Sequence, residues 1–141
     1  MKLNDQAAID LLIHQFFSVF DNRDGKVPDF DLLHELLFDE VTIYKLNSDE
    51  ADVFVSSEVM DKSSFIQPRE KLFIDGDIES FHEWETQAET NITGLLATRV
   101  SSYAKQGRIS GKVLSGHGKK HFQLLKICDQ WRIASVIWQD D

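Results

Sequence analysis

The apolar positions of this chain follow two rhythms. In "DQAAIDLLIHQFFSVF" they fall at Ile9, Leu12, Ile13, Phe16, Phe17 and Phe20, with steps of three, one, three, one and three. That repeat gathers one stripe of an amphipathic helix. Asn4 or Asp5 can cap it by accepting from the free amides of the first turn. "DFDLLHELLFDE" repeats the pattern with Phe30, Leu33, Leu36 and Leu37, which predicts a shorter second helix. Asp29 or Asp31 can cap this one, and Pro28 blocks its extension backwards.

The period then shortens. "VTIYKLN" at 41–47 is β-branched and aromatic and predicts a strand, "SDEAD" interrupts it, and "VFVSS" predicts a short second strand. "QPREKLFIDG" reads as a small third helix, with Pro68 near its first turn and Gly76 just past its end. Four strands follow, in "SFHEWETQAE", "LLATRVSSYAK", "HFQLLKIC" and "WRIASVIW". "TNITG" and "CDQW" supply turns, and "KQGRISGKVLSGHGKK" reads as a glycine-rich, flexible connection. Helices first and strands afterwards predict one α+β domain over residues 1–141, with an antiparallel sheet and helices on one face.

Both faces of that sheet should carry apolar groups. Along 95–103 one face offers Leu95, Ala97 and Tyr103 and the other Leu96 and Val100. Along 131–138 the sets are Trp131, Ile133 and Ile137 against Ala134, Val136 and Trp138. Helices can cover only one side, so the expectation is that the other packs on a second copy in a two-fold homodimer.

"VFDNRDGKVPDFD", between the first two helices, has the outline of a calcium loop. Placing Gly25 at position 6 puts Asn22 at 3, Asp24 at 5 and Asp31 at 12, but Phe20 at 1 and Pro28 at 9. A phenyl ring cannot ligate a hard cation, so the stretch is read as a turn. Composition narrows the function further. The net charge is −9, from 24 acidic and 15 basic side chains, which disfavours a nucleic-acid partner. Cys128 is the only cysteine, so no intrachain disulfide can form. No basic start with an apolar core marks a signal peptide, and no apolar run approaches a membrane span. A cytoplasmic location is expected. His14, His34, His117 and His121 show no i, i+4 pairing on one helix, so neither a metal nor another cofactor is expected.

"FFSVFDNRD" followed by "LLHELLFDEVTIY", with the closing "FQLLKICDQWRIASVIW", resembles the nuclear transport factor 2-like superfamily over nearly the whole chain. That superfamily includes ketosteroid isomerase and SnoaL-like polyketide cyclases. The resemblance implies a curved sheet wrapped by three helices into a cone, with a deep pocket at its mouth and a convex face that pairs with a second subunit. It implies no particular activity, since one fold carries many. Steroid isomerase chemistry requires a base, a donor tyrosine and a protonated acid. By the family's pattern the tyrosine's place falls on Phe16 and the base's on Lys45, so that chemistry is not expected here. Nuclear transport binding finds no matching residues either.

A hairpin turn centred on Asn91-Ile92 would pair Trp84 with Arg99, His82 with Ser101 and Ser80 with Tyr103. Paired residues share a face, so His82, Trp84, Ala97, Arg99, Ser101 and Tyr103 would line one surface, and a slip of one residue would change that set. In the pocket reading Arg99 clamps a carboxylate, Tyr103 donates to a carbonyl and His82 is the candidate acid or base. Lys45 and Gln123 are further ligand-binding candidates, and Tyr44 can reach the pocket in some registers. In the alternative, Arg99 stacks on Trp84 and His82 lies at a dimer edge. Glu83 and Glu85 then face the other way. The expected function is binding of a small, partly apolar and anionic molecule, with a cofactor-independent isomerase, cyclase or dehydratase as its enzymatic form. The alternative is a non-catalytic dimeric protein-interaction module.

Overall fold

A computed structural model describes residues 3–140. Three helices precede or interrupt the early strands: α1 (Asp5–Ser18), α2 (Phe30–Leu36) and α3 (Lys62–Ile74). The strands are β1 (Leu37–Ser48), β2 (Phe54–Met60), β3 (Ile78–Thr93), β4 (Leu96–Ile109), β5 (Lys112–Ile127) and β6 (Gln130–Asp140). They form one curved sheet in the order β2-β1-β6-β5-β4-β3. The fold is α+β, as expected, but the sheet is mixed: β1 runs parallel to β6, while the other pairs are antiparallel.

The helix caps follow local chemistry. The Asn4 side chain accepts from the Ala7 amide at 2.8 Å, and Asp29 accepts from Leu32 at 3.0 Å. The third helix differs from its expected outline. It starts at a capping box, where Asp61 accepts from the Ser64 amide and the Ser64 hydroxyl accepts from the Asp61 amide. Pro68 therefore sits inside the helix rather than in its first turn.

The stripe of α1 lies on the sheet. Phe16 meets Phe122 edge-on at 5.4 Å and stacks on Phe65 of α3 at 6.4 Å, while Phe17 stacks on Tyr103 at 6.1 Å. Each such buried aromatic contributes about 1.5–3 kcal/mol through apolar burial. The acidic loop after α1 is a turn stitched to β3. Asn22 donates to the Ile78 carbonyl and accepts from the Phe81 amide, Asp21 is held by Arg23 and Lys26, and Phe20 is buried in the core.

Three features differ from the sequence expectation. The stretch read as a flexible connection is a long β4–β5 hairpin turning at Ser110-Gly111, both with positive φ. The β3–β4 hairpin turns at Gly94-Leu95, where Thr93 pairs with Leu96, not at Asn91-Ile92. Irregularities also reverse the faces. Gln87 pairs with Ser102 but Glu85 with Tyr103, so Thr86 is an extra residue. In β6 the pairing jumps from Ile133 to Ser135 across Ala134. That bulge gathers Trp131, Ile133, Val136 and Trp138 into the core and leaves Ile137 exposed.

Candidate functional site

The turn shift of three residues leaves face parity unchanged, but the Thr86 bulge inverts it. Beyond the bulge, Glu85 and Glu83 oppose Tyr103 and Lys105 on the helix-covered face. His82 and Trp84 therefore point to the outer face, where their rings stack at 4.3 Å. The expectation that these two share the inner surface with Arg99 and Tyr103 is corrected by one inserted residue. Gln123 also lies outside, accepting from the Ser135 hydroxyl.

Arg99 and Ser101 do face inward, in a closed cluster. Arg99, 4 % exposed, donates through Nε and Nη2 to the Glu85 carboxylate at 3.1 and 2.6 Å. Its Nη1 donates to Asp10 at 2.6 Å and to Thr90 Oγ1 at 3.0 Å. Ser101 donates to the same Glu85 carboxylate. Burial opposes the Arg99 charge, but Glu85 and Asp10 more than offset it and hold its pKa above the usual value. Four donors are already engaged, so Arg99 acts as a structural clamp.

The open space lies further along the same face. A cavity of about 170 Å³ is lined by Phe16 of α1, by Phe20 in the turn after it, by Phe65, Arg69, Leu72 and Phe73 of α3, and by the inner sheet. The sheet contributes Lys45, Glu83, Lys105, Lys120, Trp138 and Asp140, with Ile78, Phe81 and Leu114 closing the apolar side. Of the residues expected in a pocket, Lys45 is on its wall. Tyr103 is buried beneath, its hydroxyl donating to Asp140.

The polar wall is held by ion pairs. Asp140 is 3.0 Å from Lys105 and 3.7 Å from Lys45, and Lys120 is 3.1 Å from Glu83. Burial raises the Asp140 pKa, yet the Tyr103 hydrogen bond and the two lysines prevail and hold it below the usual value. Lys120 has its ammonium over Tyr103 at 4.1 Å and Trp138 at 4.5 Å. Burial lowers its pKa, and Glu83 only partly opposes this. Arg69 lies over the Phe65 ring at 4.1 Å and donates to the Phe65 carbonyl; burial lowers its pKa too.

The glycines of β5 make room for this wall. A Cβ on Gly118 would stand 2.8 Å from the Tyr103 hydroxyl oxygen and 3.0 Å from the Gln139 carbonyl. One on Gly116 would stand 3.0 Å from Lys105 Cε. The residues missed from sequence (Glu83, Lys105, Lys120, Asp140) lie in stretches read as outward-facing, as a loop or as a tail. The spacing Gly116, Gly118, Lys120 was their available signal: alternate small and long residues on one strand face.

Among the described residues, no group of three or more His, Cys, Asp or Glu side chains can hold a metal ion, and no helix is long and apolar enough to cross a membrane. No protein-family model matches the chain. No curated protein matches it either. Solved structures do. A nuclear transport factor 2-like protein of Cytophaga hutchinsonii superposes with a TM-score of 0.72 at 12% identity, covering 99% of this chain and 100% of that one. A protein of Novosphingobium aromaticivorans, provisionally described as a scytalone dehydratase, gives 0.73 at 11% identity over 97% of this chain and 84% of that one. A second from that organism, a nuclear transport factor 2-like protein with a cystatin-like fold, gives 0.68 at 16% identity over 96% and 80%. With helices on the inner face of a curved sheet and end-to-end superposition on such structures, the chain has the nuclear transport factor 2-like fold.

Proposed function

We propose that the cone cavity binds a small organic anion with an aromatic or apolar body. The observation that carries this is the charge balance of the wall: Lys45, Arg69, Lys105 and Lys120 against Glu83 and Asp140. A cationic surplus in a protein of net charge −9 is a local arrangement, and a carboxylate or phenolate would neutralise it. Phe16, Phe20, Phe65, Phe73 and Trp138 supply the apolar side. An apolar cavity of about 150 Å³ accommodates benzene, so the space suits one substituted ring. One neighbour of the same fold, from N. aromaticivorans, is provisionally described as an aromatic ring hydroxylase, in keeping with a ring-sized ligand. The enzymatic form of this reading is a cofactor-independent isomerase, cyclase or dehydratase, with Asp140–Tyr103 and Lys120–Glu83 as its proton-bearing pairs.

The test is thermal shift with benzoate against benzamide. Benzoate should stabilise the protein and benzamide should not. Lys105→Met should weaken benzoate about tenfold, the equivalent of ~1.4 kcal/mol. Equal shifts from both compounds, or no change in the variant, would refute the reading.

A second surface supports a homodimer. The outer face exposes Tyr44, Leu96 and Ile137, with Thr42, Val100, His121 and Gln123 around a shallow groove. Pairing of two copies through this face should give twice the 16.2 kDa protomer mass in light scattering, reverting to one in Ile137→Glu. A stable monomer at micromolar concentration counts against it.

A further inference from the structure

Lys120 is the most deeply placed ionisable group on the cavity wall, 6 % exposed, and the other lysines among the described residues are more accessible. Its strand position opposite Ser101 and Trp138 drives the side chain under α1, and the ring faces of Tyr103, Trp138 and Phe17 surround the ammonium. One carboxylate, Glu83, stands at 3.1 Å, and the remaining side opens on the cavity that Lys105 also lines.

We propose that Lys120 is a carbonyl-binding amine: its Nζ forms a reversible imine with an aromatic 2-oxo acid or aldehyde acid seated in the cavity. This rests on the anion-binding reading, because the carboxylate of such a ligand would be held by Lys45 and Lys105. Burial dominates and disfavours the protonated form of Lys120, with Lys105 adding a smaller push in the same direction against the opposing Glu83 and Asp140, and desolvation is one route by which a lysine becomes a nucleophile. The neutral amine's lone pair forms the C–N bond while the carbonyl π pair moves to oxygen. Glu83 moves one proton from the resulting ammonium to the alkoxide, giving the neutral carbinolamine, and then passes the remaining N–H proton to the hydroxyl as that group departs. The C–O bond breaks, water leaves, and the nitrogen lone pair closes C=N. One carbonyl and one amine thus give one imine and one water, with no net oxidation.

The experiment uses phenylglyoxylate with cyanoborohydride, whose hydride reduces the imine carbon to a stable secondary amine. At neutral pH the protein should acquire a single adduct, mapped to the peptide carrying Lys120 and suppressed by benzoate. It should be absent from Lys120→Met and form about a hundredfold more slowly in Glu83→Gln, the lower range for a positioned acid–base group. Peptide mapping of the unaltered protein keeps the test decisive even where a variant folds poorly. Failure to form an adduct, labelling of other lysines instead, or undiminished labelling of Lys120→Met would overturn the proposal. A retained benzoate shift with no adduct overturns the imine alone, whereas loss of the benzoate shift overturns the binding reading beneath it.

Discussion

Two charged clusters occupy the inner face of the same sheet and meet at neighbouring positions of β3 and β4, each with residues from other elements, yet they do different things. The first joins Arg99 to Glu85, Asp10 and Thr90, with Ser101 donating to the same Glu85 carboxylate. It is compact, its donors are matched by acceptors, and α1 closes over it. The second joins Lys105, Lys45 and Tyr103 to Asp140, and Lys120 to Glu83, around an open space. Carboxylates and basic side chains are present in both. What separates them is the balance of charge and the void: the first cluster satisfies itself, whereas the second leaves cations facing a cavity. Arginine conspicuous in the sequence is thus the fold's clamp, and lysines that looked unremarkable form the candidate site.

Four substitutions test that contrast. Arg99→Met should have the largest effect. It strands the Glu85 carboxylate, and breaking a buried pair costs about 3–5 kcal/mol. Urea unfolding would show it, and a loss below about 1 kcal/mol would deny the clamp role. Gly118→Ala should cost about 1–3 kcal/mol, since the new methyl meets the Tyr103 hydroxyl and the Gln139 backbone. It should also weaken benzoate by displacing Tyr103 from Asp140, and an unchanged melting temperature would contradict that crowding.

Lys105→Met carries the opposite signature to Arg99→Met. Stability should change by about 1 kcal/mol or less, because Asp140 keeps Tyr103 and Lys45. The effect should appear in benzoate affinity instead, so destabilisation as large as that of Arg99→Met would erase the distinction between the clusters. The smallest effect concerns pH. The folded-state pKa of Asp140 is depressed, so its contribution is present above the unfolded value of about 3.9 and is lost as pH falls through the folded one. Asp140→Asn should therefore flatten the acid limb of stability below about pH 4, and an unaltered limb would remove Asp140 from the account.

How legible was all this in the chain? The α1 stripe, the Asn4 and Asp29 caps and the final strands could be read because each depends on neighbours a few residues away. The curved α+β sheet was also within reach. The start of α3 is encoded in the Asp61–Ser64 box, whereas Pro68, of a residue type ordinary in a first turn, lies inside the helix. The pocket was not. His82 and Trp84 alternate with Glu83 and Glu85, and one extra residue at Thr86 decides which pair looks inward. Nothing in "EWETQAE" marks the bulge, because a bulge is stabilised by what the two faces meet.

Periodicity locates the main helices and most of the strands, and where apolar surface must be hidden, because backbone geometry and burial repeat over two residues in a strand and over three or four in a helix. It does not mark the β4–β5 hairpin. Which cation gains a partner and which faces a void depends on residues brought together from opposite ends of the chain. Lys45, Glu83, Lys105, Lys120 and Asp140 become neighbours only when β1, β3, β4, β5 and β6 lie side by side. Strand register and bulges carry that information, and their energies come from long-range packing that no local pattern records.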